Sequence, residues 1–399
     1  MKHMEFIPFA LPSIGQEEID EVVETLRSGW ITTGSRAMRL EQDFRFYSGA
    51  ADALAVNSGT AAMHMALAAM DIGPEDEVIT TPLTFCATVT TILHVGATPV
   101  LADILPNGNI DPKSIASRIT PRTKAIMPVH VAGLPCDMDA IWDLAREHDL
   151  RVIEDAAHAA GTFHNGTHLG GRGTRSDAVA FSFYANKNMT TGEGGMVTTN
   201  SEELAERMRV LRLHGISKDA WKRYTKTGNW FYEVLEAGFK YNLSDLQAAV
   251  GIHQLRKLEG FTATRTRYAE MYNDMLGGME EIELPPDDAR HRHAWHLYMI
   301  RLKLDKLTVD RAGFIEKLRE RNVGASVHFI PIPLHRFFTR WANRKQNQCP
   351  KALELYPRLV SLPLYPGMTE EQVGYVADSV KAIVAESKKR KLMPAAAGF

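Results

Sequence analysis

The chain has 399 residues, which is long for one compact domain and suits two that share a core. With 45% apolar and 24% charged residues it reads as a folded globular protein, and a net charge of −2 gives no electrostatic reason to bind nucleic acid or an anionic membrane. Three cysteines (Cys86, Cys136 and Cys349) sit far apart with no CxxC spacing, which argues against a zinc site, a redox pair or a disulfide framework.

No run is long and apolar enough for a signal peptide or a membrane helix, so the expected setting is the cytoplasm. Matches to the glycosylation sequon at Asn165 and Asn188 are accordingly read as chance.

The first part of the chain alternates helix-like and strand-like segments. Residues 17–26 have helical spacing and stop at Ser28-Gly29. A helix over 61–70 follows Ser58-Gly59-Thr60, a short strand covers 77–80, a helix 89–94 and a strand 98–102. Residues 124–131, 151–154 and 178–184 are compact apolar runs, as strands buried on both faces should be, with a helix at 138–148 between the first two. Such alternation predicts an α/β fold with a mostly parallel central sheet flanked by helices.

The texture changes after about residue 255. A helix over 261–275, a strand over 294–302, a helix over 311–321, a strand over 325–330 and a final helix over 370–385 suggest a smaller C-terminal α+β domain. The expected division is 1–255, including an N-terminal arm, and 256–399. The basic stretch 388–391 reads as a solvated helix end rather than a nucleic-acid patch.

Three segments carry candidate chemistry. Asn57-Ser58-Gly59-Thr60-Ala61-Ala62 is a small-residue turn opening a helix, where backbone N–H groups and hydroxyls can cradle an anion, although such residues are usually plain N-caps. In Arg151–His158 an apolar strand ends in Glu154-Asp155, at the end of a strand where ligands gather in open α/β sheets. In Phe181–Met196 a strand runs out into Lys187, followed by a Gly-rich turn and another strand. Most lysines are surface charges, but one held at a strand exit beside Gly-rich backbone suits a Schiff-base lysine.

Together these supply what pyridoxal 5'-phosphate (PLP) needs: an amine for its aldehyde, a carboxylate for its pyridine nitrogen, and a small-residue cradle for its phosphate. Phe85 is a candidate aromatic wall for the ring, with plain core as its ordinary reading.

Over nearly its whole length the chain resembles the DegT-type nucleotide-sugar aminotransferases, which belong to the fold-type-I PLP-dependent transferases. The resemblance rests on motifs that occur in order. They are Ser28–Gly34, Asn57–Ala62, Glu154–His158, Ser182 with Lys187-Asn188, His214-Gly215, Gly238–Asp245, Ser326–Pro331 and Leu362–Met368.

The resemblance implies that Lys187 bonds to the cofactor and that Asp155 partners the pyridine nitrogen. It also implies that His158 lies near the 3-hydroxyl, that Gly59, Thr60 and Ser182 (beside Ser58) hold the phosphate, and that Phe85 stacks on the ring. The Lys240–Asn242 stretch resembles a loop given to the neighbouring subunit's site, which implies a homodimer in which Lys240 meets substrate and Asn242 the cofactor. Trp30 and His328 are expected near the sugar or nucleotide.

The reaction implied takes an amino group from an amino acid, expected to be L-glutamate leaving as 2-oxoglutarate. It delivers that group to a keto sugar on a nucleoside diphosphate, in polysaccharide or amino-sugar biosynthesis. Relatives that act as dehydratases carry histidine in place of the lysine, and Lys187 is present here.

The alternatives are a dehydratase or a PLP-binding regulator on the same scaffold. An NAD enzyme lacks support, because no GxGxxG follows the first strand. His291, His293 and His296 are close in sequence, but a surface or substrate-facing role is expected there rather than a metal.

Overall fold

A computed structural model describes residues 4–217, 231–339 and 347–389. In chain order the first half contains α1 (Gln16–Arg27), α2 (Ser35–Ser48), β1 (Asp52–Val56), α3 (Gly59–Ala69), β2 (Glu77–Thr80), α4 (Cys86–His94) and β3 (Thr98–Leu101). These lead to α5 (Pro112–Ala116), β4 (Thr123–Met127), α6 (Met138–Glu147), β5 (Arg151–Asp155), the small hairpin β6 (Phe163–His164) and β7 (Thr167–His168), β8 (Ala178–Ser182), β9 (Gly195–Thr199) and α7 (Glu202–Arg212).

One seven-stranded sheet has the order β1-β9-β8-β5-β4-β2-β3. From β8 to β3 every pairing is parallel, whereas β9 runs antiparallel to both β1 and β8. The middle strands are buried almost end to end, as expected for a sheet covered on both faces. The mostly parallel α/β fold read from the apolar runs is therefore the observed one.

The helices start where their sequences provide caps. Ser58 accepts from the Ala61 amide at α3, Asp137 from Ala140 at α6, and Ser201 from Leu204 at α7. Helix α2 has glycine at its N-cap and borrows its cap from a distant residue. The carboxylate of Asp245 accepts from Gly34 N (2.8 Å), Ala37 N (2.9 Å) and Arg36 N (3.2 Å).

The second half contains α8 (Asp245–Leu276), β10 (Ile282–Glu283), β11 (Tyr298–Leu302), α9 (Arg311–Glu320), α10 (Pro350–Leu355), β12 (Leu359–Leu362) and α11 (Glu370–Ser387). Strands β10, β11 and β12 form an antiparallel sheet. Helix α8 joins two cores. Its first half places Ala248, Ile252, Leu255 and Leu258 among side chains of α2, β8 and β9. Its second half places Tyr268, Ala269, Tyr272 and Leu276 against the small sheet and α11.

Several expectations need correction. The helix expected from 261 begins sixteen residues earlier at Asp245, capped by Ser244 and Gln247, so residue 255 lies inside it. Residues 325–330 do not form a strand. Only Ser326 bridges to Ser361 there, because this segment turns toward the cavity described below instead of continuing a ladder. The strand expected over 294–302 starts at Tyr298. Of the basic stretch, Lys388 pairs with Glu281 at 2.6 Å, while residues 390–391 lie outside the described residues.

Candidate active site

Four chain segments end at one place because the parallel strands all point their carboxyl ends to it. Asp155 is the last residue of β5 and Ser182 the last of β8. Ser58 caps α3 just beyond β1, and Phe85 caps α4 just beyond β2. Between them lies a cavity of ≈ 370 Å³. Its lining includes Ser58, Gly59, Thr60, Phe85, Asp155, His158, Ser182, Lys187 and His328. Nine of the residues singled out in the sequence thus meet at one site, although they span more than half of the chain.

Lys187 faces the cavity from the turn after β8. Protein walls surround it, and this burial pulls its amine down to about 8 against the opposing pull of Asp155. A fraction of it is therefore neutral near physiological pH, which a nucleophile or proton carrier requires.

Asp155 has both oxygens engaged. Oδ2 accepts from Thr88 Oγ1 (2.8 Å) and Oδ1 from the Ala157 amide (3.1 Å). Burial pushes this carboxyl above its ordinary value, while Thr88, Ala157 and Lys187 pull it back.

The histidines of the site are held neutral. Burial, with Lys187 nearby, sets His158 well below its ordinary value and His328 at about 4. His158 stacks on Phe329 (5.5 Å between centroids, 18°) and lies 4.3 Å from His296. A neutral imidazole keeps one N–H donor and one acceptor, so these residues can direct hydrogen bonds without adding charge.

The cradle at α3 is tight. A Cβ on Gly59 would lie 3.0 Å from Ser182 Cβ, and one on Gly195 would lie 2.7 Å from Gly59 N. The backbone approach at this helix start therefore needs glycine at both positions, and the first amides of a helix have no partner inside it. A buried amine, a bonded carboxylate, an amide-and-hydroxyl cradle and an aromatic at the rim fit PLP. Phe85 is 60% exposed at that rim, which leaves its face open to a ring.

Trp30, Lys240 and Asn242 stand apart from this cavity. Trp30 Nε1 donates to Thr33 O (3.1 Å), Lys240 Nζ to Asn242 Oδ1 (2.7 Å), and Asn242 Nδ2 to Thr33 Oγ1 (2.6 Å). They form one linked group beside the start of α2.

The neighbouring histidines separate. His296 lines the cavity, His293 is buried against Trp295 (4.0 Å), and His291 stacks on His164 (4.8 Å). Among the described residues no group of three or more His, Cys, Asp or Glu could hold a metal. Asn188 is buried and donates to Ala294 O (2.8 Å), which closes that sequon to an oligosaccharide.

Sequence reasoning missed Thr84, Thr88 and Phe329 in the lining, while His296, for which a surface or substrate-facing role was expected, is there as well.

The aminotransferase family model of DegT/DnrJ/EryC1/StrS matches residues 12–381. The chain belongs to that family. It is 49% identical over 385 residues to the spore coat polysaccharide biosynthesis protein SpsC of Bacillus subtilis, covering 96% of this chain and 98% of that one.

Among solved structures, Spr1654 of Streptococcus pneumoniae in its PMP form superposes with a TM-score of 0.88 at 31% identity, covering 95% of this chain and 99% of that one. PseC of Helicobacter pylori, an aminotransferase involved in the biosynthesis of pseudoaminic acid, does so with 0.88 at 30% identity, over 96% and 100%. As a member of the DegT/DnrJ/EryC1/StrS family, the chain is a PLP-dependent sugar aminotransferase.

Proposed function

We propose that this enzyme moves an amino group from L-glutamate to a keto sugar carried on a nucleoside diphosphate, giving an amino sugar and 2-oxoglutarate. The observation that carries the reading is the meeting of Lys187 and Asp155 in one enclosed cavity beside a glycine-built anion cradle.

When bound, PLP supplies an aldehyde that takes up amino groups and a ring that accepts the electron pair left by deprotonation. The chain supplies the rest. Lys187 Nζ would be the attachment point and, once released and neutral, would serve as the base that takes the donor's α-proton and gives it back. Asp155, fixed through both oxygens, holds a proton on the ring nitrogen by charge pairing. Gly59 and Thr60 at the start of α3, with Ser58 and Ser182, hold the phosphate. Phe85 would cover one ring face, and His158 would donate to the 3-oxygen. His328, whose Nδ1 lies 2.9 Å from Ser361 Oγ, faces the sugar.

The linked Trp30–Lys240–Asn242 group supports a homodimer in which this face completes the partner's site. We further propose two domains whose cores change over inside α8, between Leu258 and Tyr268. No helix of the described residues is long and apolar enough to cross a membrane, which is compatible with a cytoplasmic setting.

Incubation with glutamate and a panel of nucleoside-diphosphate keto sugars tests the reading. Stoichiometric 2-oxoglutarate and amino sugar are expected. Sugar dehydration with no amino sugar would favour the dehydratase alternative, and no turnover with any sugar would favour the regulator.

A further inference from the structure

We propose that Thr88, itself oriented by Thr84, is a positioning residue that holds the Asp155 carboxylate in its working place and in its acceptor-only form. The inference rests on the assignment of Asp155 as the partner of the ring nitrogen.

The hydroxyl of Thr88 sits within reach of three groups. Its Oγ1 is 2.8 Å from Asp155 Oδ2, 2.7 Å from Thr84 Oγ1 and 3.2 Å from Phe85 O. A hydroxyl has one proton to give and two lone pairs to fill. The ionised carboxylate is the strongest acceptor of the three and has one of the two shorter contacts, so the Thr88 proton goes to Asp155. Thr84 then donates to Thr88 and fills one of its lone pairs. The chain runs in one direction, from Thr84 to Thr88 to Asp155.

Thr84 precedes the N-cap Phe85, and Thr88 lies in the first turn of α4, where it meets Asp155 at the carboxyl end of β5. Thr88 is 0% exposed and Thr84 2%. Neither hydroxyl is exposed to solvent, so removing one leaves its buried partner short of a hydrogen bond. The second oxygen of Asp155 is held by a backbone amide, which no substitution of Ala157 other than proline removes. Thr88 is thus the side chain that orients the carboxylate and opposes its protonation. Burial favours the protonated acid, and among the influences opposing it the Thr88 hydrogen bond is the largest.

The test uses Thr88→Val, which keeps the shape and removes the hydroxyl, together with Thr88→Ser and Thr84→Val. Thr88→Val is also placed in an Asp155→Asn background. Two quantities are read: the Kd for PLP by absorbance titration of the apoprotein, and kcat with glutamate.

Thr88→Val is expected to weaken PLP binding and to slow turnover, each on the order of 10- to 100-fold, the worth of one hydrogen bond to a charged group. Thr88→Ser recovers most of both, and Thr84→Val loses roughly two- to tenfold. On Asp155→Asn, Thr88→Val changes neither quantity by more than about twofold, because two residues that act through one interaction are not additive.

An unchanged Thr88→Val enzyme, or the same loss on Asp155→Asn as on the wild type, overturns the inference. If Asp155→Asn is slow while Thr88 acts independently of it, only this inference falls. If Asp155→Asn alone binds PLP and turns over normally, the assignment of Asp155 falls with it.

Discussion

His130 and Glu154 form a wholly buried hydrogen-bonded pair, with Nε2 2.8 Å from the carboxylate, one residue along β5 from the working Asp155. Successive strand residues point to opposite faces, so Glu154 and Asp155 serve different sides of the sheet. The Nδ1 of His130 accepts from the Cys136 amide (3.1 Å), which leaves the proton on Nε2 for Glu154, and Thr174 donates to the other carboxylate oxygen (3.0 Å).

Removing one partner of such a pair strands a buried charge. His130→Ala should therefore cost about 3–5 kcal/mol of stability, read by urea denaturation. A loss below about 1 kcal/mol would show that Glu154 is accommodated without its partner.

The pair also sets a pH dependence, carried by its carboxylate. Burial opposes charge on Glu154, while the His130 N–H and the neighbouring hydroxyls bring it below 4.5. That contribution is fully present above 4.5 and is lost as pH falls through the lowered value. The stabilisation of wild type over His130→Ala should therefore shrink as pH falls below 4.5. A difference that stays flat through the acid range would contradict a charged Glu154 held by His130.

Lys187, lowered by burial to about 8, should make cofactor capture by the apoprotein speed up with pH around a midpoint near 8. The neutral amine is the species that attacks an aldehyde. Stopped-flow absorbance at constant PLP reads this rate. A midpoint near the ordinary 10.5 would mean that the cavity does not desolvate the lysine.

Gly195→Ala should damage the phosphate cradle from behind. The new Cβ would lie 2.7 Å from Gly59 N, Phe181 O and Ser58 C, all backbone atoms of fixed elements. Overpacking of this kind costs about 1–3 kcal/mol, and here the backbone that must yield opens α3. A lower Tm and weaker retention of PLP on dialysis are expected together. Normal retention in a destabilised protein would separate the cradle from the strand.

Sharing of sites between subunits can be read by complementation. Lys187→Ala and the double variant Lys240→Ala/Asn242→Ala should each be inactive alone. Co-expressed, they should regain activity, because one site of the mixed dimer has its own Lys187 and the partner's intact loop. No recovery would place Lys240 and Asn242 in service of their own chain's cavity.

Much of the site was legible because parallel-sheet strands carry a strong local signal. Runs such as Val152-Ile153 are apolar and short, and the residue that ends each run necessarily sits at the sheet's carboxyl edge. Asp155 and Ser182 could be placed for that reason, and Lys187 as the lysine just beyond. What was not legible depends on contacts across long stretches of sequence. The cap of α2 comes from Asp245, some two hundred residues away. Thr88 looked like any helix threonine until β5 brought Asp155 to it, 67 residues on. Residues 325–330 have the β-branched texture of a strand, but their role at the cavity prevailed over their propensity.

The central claim is that Lys187, Asp155 and the α3 cradle together bind PLP and carry an amino group. The most direct measurement is the absorption spectrum of the purified protein with PLP, before and after L-glutamate. A visible band that is absent in Lys187→Ala, and that glutamate converts to a shorter-wavelength band with release of 2-oxoglutarate, is the predicted result. A protein that stays colourless with PLP, or a band that Lys187→Ala reproduces and glutamate leaves unchanged, would contradict it.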